Sequence, residues 1–263
     1  MSEERSSTQI KNWLEIQQKK LPETDLSIII PAYNEQWRLP TTLVSTIDYL
    51  DSTKRNYEII VVDDGSKDET SLIVKKFERI RSQVRLITLA RNRGKGEAVK
   101  TGGLNAKGRK ILFCDADGAT PISEIVRLEE AINNGNGLAF GSRALESDET
   151  KVRALWYRKL IGRFFNFIVS ALLLPGVKDT QCGFKMFSDE AAKFLFSRQE
   201  LAGFAFDVEL LFMAARSGMK SEEVAVNWRN MPGSKVNLVT DSTKMFLEVL
   251  SVYFKHRKID RFG

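Results

Sequence analysis

Leu26-Ser-Ile-Ile-Ile-Pro-Ala-Tyr-Asn-Glu35 is a short β-branched apolar run that breaks abruptly into a polar turn, and Tyr57-Glu-Ile-Ile-Val-Val-Asp-Asp-Gly-Ser66 has the same form. Unbroken runs such as Ser-Ile-Ile-Ile and Ile-Ile-Val-Val, in place of alternating ones, are what strands buried on both faces require. Val84–Leu89, Lys110–Cys114 and Leu138–Phe140 read as further strands. Between them the period changes. Leu43, Ile47 and Leu50 recur at i, i+4, i+7, as do Ile73, Phe77 and Ile80, while Ile125, Leu128 and Ile132 follow i, i+3, i+7. Strands alternating with helices of this length predict βαβ units, hence an α/β fold with an open, mostly parallel sheet flanked by helices.

Composition limits the chemistry. The 263 residues are 43% hydrophobic and 28% charged, which supplies a real core and argues against disorder. With 40 Lys+Arg against 34 Asp+Glu, the charge of +6 favours phosphorylated ligands or an anionic surface. A single histidine, His256, and two cysteines, Cys114 and Cys182, exclude a multi-His zinc centre, a CxxC pair and a disulfide framework. Both cysteines read as small packed residues. Catalysis must therefore use carboxylates, Arg, Lys or hydroxyls.

Residues 1–24 read as a polar leader carrying a short amphipathic helix, with Trp13, Leu14 and Ile16 as its main apolar content. No secretory h-region and no stretch of ~20 apolar residues occurs, so a reducing, cytoplasmic setting is expected. Residues 155–174 carry Trp156, Phe164, Phe165 and Phe167 among Arg158, Lys159 and Arg163: a pattern that fits a membrane-interface helix or a core helix. A strand candidate, Glu223–Trp228, precedes a Met-Pro-Gly-Ser-Lys loop and a last basic amphipathic helix, Ser242–Lys255, within residues 236–263.

In an open parallel sheet, ligands sit at the carboxyl ends of the strands. There the sequence places Pro31-Ala-Tyr-Asn-Glu35, Asp63-Asp-Gly-Ser-Lys-Asp68 and Asp115-Ala-Asp-Gly-Ala-Thr120. Singly, each has a plain explanation, since Asp68 can cap a helix and Asn34 can shape a loop. The Asp-x-Asp is sharper, because in extended chain Asp115 and Asp117 point the same way and repel unless a cation lies between them. A hard ion such as Mg²⁺ needs few protein carboxylates and fills its shell with water and phosphate oxygens, which suits a nucleoside diphosphate. Arg91-Asn-Arg-Gly-Lys-Gly96 and Gly141-Ser-Arg143 bring cations to the same edge. Lys95 or Arg143, aided by the helix amides after Gly94, are candidates to hold a pyrophosphate. Neither a dinucleotide fingerprint nor a Walker-type loop is present.

These segments, together with Asp179-Thr-Gln-Cys-Gly-Phe-Lys185, Phe206-Asp-Val-Glu-Leu210, Val224-Ala-Val-Asn-Trp228 and Gly233-Ser-Lys235, resemble the family 2 glycosyltransferases of GT-A fold. The Asp-Gly-Ala-Thr ending and the 179–185 block look specific to the dolichyl-phosphate β-glucosyltransferase branch. The resemblance implies a GT-A catalytic domain over 25–235, with amphipathic interfacial helices. It also implies inverting transfer of glucose from UDP-glucose to a polyprenyl phosphate at the cytoplasmic membrane face. On this resemblance Pro31, Tyr33, Glu35 and Asp64 line the nucleoside pocket, with Lys95 at the donor. Asp115 lies by the nucleotide, and Asp117 with Asp115 holds Mg²⁺ or Mn²⁺. Arg143 and Lys185 are candidates for the diphosphate and the acceptor phosphate, while Ser234 and Lys235 lie on a loop near the donor. Asp207 and Glu209 fit two roles equally, orienting an acceptor or forming a structural pair at a helix start.

The expected partners are a nucleotide sugar, a polyprenyl phosphate and a membrane surface, and not nucleic acid. The related mannosyl enzymes place a glutamine two residues beyond the metal-binding Asp, where this chain has Ala119, which points away from mannosyl transfer. The glucosyl relatives carry an N-terminal membrane anchor that this chain lacks, so peripheral attachment is expected. A related family 2 transferase with another donor or acceptor is the alternative. Less favoured are a sugar nucleotidyltransferase, whose Gly-rich signature would follow the first strand, and a noncatalytic anion binder.

Overall fold

The computed structural model describes residues 24–145, 147–153, 169–170, 172–232 and 240–263. In chain order these residues form β1 (Leu26–Ala32), α1 (Leu39–Ser52), β2 (Tyr57–Asp63), α2 (Thr70–Ile80), β3 (Val84–Thr88), α3 (Lys95–Asn105), β4 (Lys110–Cys114), α4 (Ile125–Asn133) and β5 (Leu138–Ser142). Then follow β6 (Val152–Arg153), β7 (Phe184–Ser188), α5 (Asp189–Arg198), α6 (Phe206–Arg216), β8 (Ser221–Ala225), β9 (Trp228–Arg229) and α7 (Thr240–His256). The expected leader and most of the 155–174 segment lie outside the described residues, as do Ser234 and Lys235.

Seven strands form one sheet in the order β3-β2-β1-β4-β7-β5-β8. Every pairing is parallel except those of β7, which runs antiparallel to both β4 and β5. The sheet is buried on both sides: Ile28 and Ile30 enter one core cluster with Ile59 and Val61, Ile29 enters a second with Phe113 and Phe206, and Ile60 and Val62 form a third with Ala98. That two-sided burial is why the runs at β1 and β2 carry no polar alternation.

Two strand expectations change. β7 was not anticipated, because Lys185, its second residue, interrupts the apolar pattern. The expected strand Glu223–Trp228 instead divides between β8 in the main sheet and β9, which pairs with β6. The break has a local cause: Asn227 turns aside to Glu124, its backbone N–H and its side-chain amide both donating to that carboxylate (3.1 and 2.7 Å). The last helix begins and ends slightly beyond its expected bounds.

The sequence of strands reverses direction between β1 and β4, each leaving the sheet centre toward a different edge. That crevice at the carboxyl ends is where an open α/β sheet binds ligands.

Candidate active site

A cavity of about 450 Å³ opens at this crevice, within the range of small-molecule and cofactor sites. β1 and the turn after it contribute Pro31, Tyr33 and Glu35; Asp64 follows directly on β2; the start of α3 brings Lys95. Asp115 and Asp117, just beyond β4, form the acidic wall, and Met245 and Glu248 of α7 with Gly203 and Phe204 also line the cavity.

The turn after β1 is locked onto the turn after β2. Asn34, at φ 53°, accepts from the Lys67 N–H through Oδ1, and its own N–H donates to Ser66 Oγ (both 2.8 Å). Asp68 Oδ2 accepts from the Gln36 N–H, and Oδ1 from the Thr70 N–H at the start of α2. The plain readings of Asn34 and Asp68 as loop and helix-end residues thus describe what they do. Asp64 takes hydrogen bonds from the Arg93 and Gly94 N–H groups (2.7 and 2.8 Å). Burial pushes its carboxyl above the usual carboxylate range, against the pull of those two bonds.

The acidic turn is held from several directions. Asp115 N–H donates to Gly183 O (3.1 Å), Thr42 Oγ1 of α1 donates to Ala116 O (2.8 Å), and Arg229 N–H of β9 donates to Ala119 O (3.0 Å). Asp117 Oδ1 accepts the Ala119 N–H at 3.0 Å. Lys95 Nζ lies 2.7 Å from Asp115 Oδ1, over the rings of Phe113 and Phe206 at 5.2 and 6.0 Å. Burial opposes its charge, but Asp115 and Asp207 outweigh that and raise its pKa, so it stays a cation. Burial, and then the charge of Asp115, push the Asp117 carboxyl upward.

Arg38 was not foreseen. It hydrogen-bonds Glu35 through Nε (2.7 Å), approaches Asp117 Oδ2 at 3.6 Å and reaches Pro232 O at 3.3 Å. The signal was present in the spacing: an acid and a base at i, i+3 where a strand-end turn enters a helix.

No group of three or more His, Cys, Asp or Glu poised for a metal occurs among the described residues. Two half-buried carboxylates at one cavity wall still fit a hard divalent ion whose remaining ligands are water and phosphate oxygens, and Asp115 and Asp117 are the residues that would hold it.

Two expectations need correction. Lys185 has no exposed surface; its ammonium binds Asp207 Oδ1 (2.6 Å) and Cys182 O (2.7 Å), so it does not reach a phosphate in this cavity. Burial raises the Asp207 carboxyl despite the pull of Lys185 and Lys95. Two of the helix amides after Gly94 are also taken: the Gly96 and Glu97 N–H groups both donate to Ala202 O. Of the two roles open to Glu209, the structural one fits its surroundings: it is fully buried, with the Glu200 and Leu201 N–H groups and His256 Nε2 around its carboxylate.

Arg143 lies outside the cavity lining and is held by Asp179 through Nε and Nη2 (2.7 and 2.8 Å), with Trp228 against its face. Burial alone would raise the Asp179 carboxyl, but Arg143 outweighs it and holds it at about 2. Both cysteines are free and buried, and burial pushes the Cys182 thiol to about 12 and the Cys114 thiol well up.

The profile of Glycosyl transferase family 2 matches residues 27–196. The human dolichyl-phosphate beta-glucosyltransferase is 42% identical over 228 residues, covering 82% of this chain and 70% of the relative. A Trichomonas vaginalis protein of the same name is 39% identical over 246 residues, covering 90% and 75%. Among solved structures, glucosyl-3-phosphoglycerate synthase from Mycobacterium tuberculosis with Mn²⁺ and uridine-diphosphate-glucose superposes with a TM-score of 0.63 at 18% identity, covering 90% of this chain and 80% of that one. The same enzyme with phosphoglyceric acid gives 0.66 at 20% identity, covering 90% and 81%. At that identity the likeness establishes the GT-A fold.

Proposed function

The chain belongs to glycosyl transferase family 2, and on that premise we propose that it transfers glucose from UDP-glucose to a polyprenyl phosphate of dolichol type, with inversion and with a divalent metal. The observation that carries the reading is the juxtaposition of the Asp115/Asp117 wall with Lys95 and Arg38 at the mouth of a nucleotide-sized cavity. The names of the relatives support the sugar and the acceptor, and the complexes of the structural neighbour support the donor and the metal.

The reaction suits this inventory of side chains. A lipid phosphate monoester has a second pKa of ~6, so its oxygen is already anionic near neutral pH and needs no strong general base. That oxygen forms the new bond to the anomeric carbon as the bond to the UDP oxygen breaks, and UDP departs with the electron pair. In-line attack converts an α-linked donor into a β-linked product. When bound, a divalent metal would neutralise the diphosphate of the leaving group. Lys95 and Arg38 add fixed positive charge beside the same wall, and one such contact is worth ~3 kcal/mol in a transition state. Arg143 and Lys185 then act one step back from the chemistry, holding Asp179 and Asp207.

A lipid acceptor places the enzyme at a membrane surface, which we take to be its cytoplasmic face. Among the described residues no helix is long and apolar enough to cross a bilayer. Support for surface contact comes from α7, whose outward face exposes Leu247, Leu250 and Phe254 while Met245 and Glu248 line the cavity. Trp37, 84% exposed, lies in the chain between Glu35 and Arg38, both of which line the cavity.

The test is a panel of labelled donors (UDP-glucose, UDP-galactose, UDP-GlcNAc, GDP-mannose) with a short polyprenyl phosphate, followed by organic extraction. Label should enter the organic phase from UDP-glucose alone and should vanish with excess chelator. Extraction of label from GDP-mannose, or pyrophosphate release from UTP and glucose 1-phosphate, overturns the reading.

A further inference from the structure

The 179–185 block contains a glycine that the backbone does not ask for. Gly183 is not among the positive-φ residues, so its conformation is open to any L-amino acid. Its neighbours give the reason. A Cβ placed there would lie 2.0 Å from Asp115 Oδ2, 2.3 Å from Cγ and 2.5 Å from Oδ1, inside any tolerable approach. All three atoms of the Asp115 carboxyl group therefore rest over the Cα of Gly183.

The strand pairing explains how the two come together. β7 pairs with β4 up to Phe184 opposite Cys114, and the Asp115 N–H donating to Gly183 O continues the ladder one step past the strand end. That bond fixes the separation of the two backbones. Whether the carboxylate can lie flat in the gap depends on the absence of a side chain at 183. On its open side the same carboxylate receives Lys95 Nζ at 2.7 Å. It is thus clamped between bare backbone and a cation.

We propose that Gly183 is a positioning residue for the donor site, its bare Cα forming the seat that holds the Asp115 carboxylate against Lys95 at the cavity wall. The inference rests on the reading of Asp115 as a donor-site residue. Any side chain at 183 displaces the carboxylate, because the ladder bond leaves the backbone no room to retreat and the carboxylate is the only group able to rotate away. The antiparallel insertion of β7 between β4 and β5 then has a functional consequence, since only a strand running that way delivers Gly183 to the end of β4.

The test uses Gly183→Ala and Gly183→Ser in the full chain, alone and combined with Asp115→Ala. UDP binding in the presence of Mn²⁺, measured by calorimetry, should weaken at least tenfold in Gly183→Ala and further in Gly183→Ser. In the Asp115→Ala background, where there is no carboxylate to displace, Gly183→Ala should change UDP affinity by less than about twofold. A wild-type affinity in Gly183→Ala, or an equal loss in both backgrounds, overturns the proposal. Should Gly183→Ala fail to fold, the double variant must fold; if neither does, Gly183 serves the fold and not Asp115.

A second readout needs no nucleotide. Limited acetylation of Lys95, followed by peptide mass spectrometry, should proceed several-fold faster in Gly183→Ala, because the ammonium has lost its partner. If the wild-type protein binds no UDP, the glycosyl-transfer reading fails, and unchanged Lys95 labelling alone overturns the role of Gly183.

Discussion

Two buried ion pairs occupy positions where side-chain type alone suggested phosphate contacts, and burial reassigns them. Lys185 and Asp207 neutralise each other inside the core, and removing one partner of such a pair typically costs 3–5 kcal/mol because the other charge is left stranded. Lys185→Met should therefore lower stability in urea unfolding far more than Lys95→Met, while Lys95→Met should act chiefly on UDP affinity. Asp179 gives a pH signature. Its carboxyl sits at about 2 in the folded protein, below the unfolded value of ~3.9, so its contribution is complete above about pH 4 and is lost as pH falls toward 2. The amount is on the order of 2 kcal/mol. Asp179→Asn should be less stable than wild type at neutral pH, and its stability should fall less between pH 4 and pH 2. At the cavity, Asp117→Asn should reduce transfer by 10²-fold or more with the fold intact by circular dichroism.

The start of α3 has two of its amide donors, Gly96 and Glu97, already used by Ala202 O. Gly94, at φ 106°, leaves no room for a side chain: a Cβ there would meet Ala202 O at 2.3 Å, and that carbonyl caps the helix. The 200–204 loop is itself fixed by Glu209 of α6, which α7 reaches through His256, the only histidine in the chain. The C-terminal helix is thereby tied to the loop that carries Gly203 and Phe204 into the cavity wall. His256→Ala should destabilise the protein by about 1–3 kcal/mol, the usual range for breaking a buried charged hydrogen bond. It should also weaken UDP binding, which urea titration and calorimetry can check separately. A variant that loses stability with unchanged UDP affinity would show that α7 does not act through this loop.

Across the molecule, the +6 charge and the apolar outer face of α7 fit a protein that works against an anionic surface. Arg257, Lys258 and Arg261 are exposed just beyond the end of α7. Flotation with anionic vesicles at low salt should recover the protein, and the combination Leu247→Ser, Leu250→Ser and Phe254→Ser should abolish recovery. UDP affinity should survive that change, since these side chains are not part of the cavity lining. Retention of vesicle binding by the triple variant would move the contact elsewhere.

The sequence by itself determined the parallel half of the fold and much of the cavity wall. Strand periodicity is local, and a polar turn at the end of an apolar run stays beside its own strand whatever the rest of the chain does. Tyr33, Asp64, Lys95, Asp115 and Asp117 were legible for that reason. Only the tertiary structure decided the antiparallel β7, the burial of Lys185, the capture of the α3 amides by Ala202 and the reach of His256 to Glu209. Each depends on a partner distant in sequence, and the cost of burying a charge or an amide is settled by what lies opposite it in space.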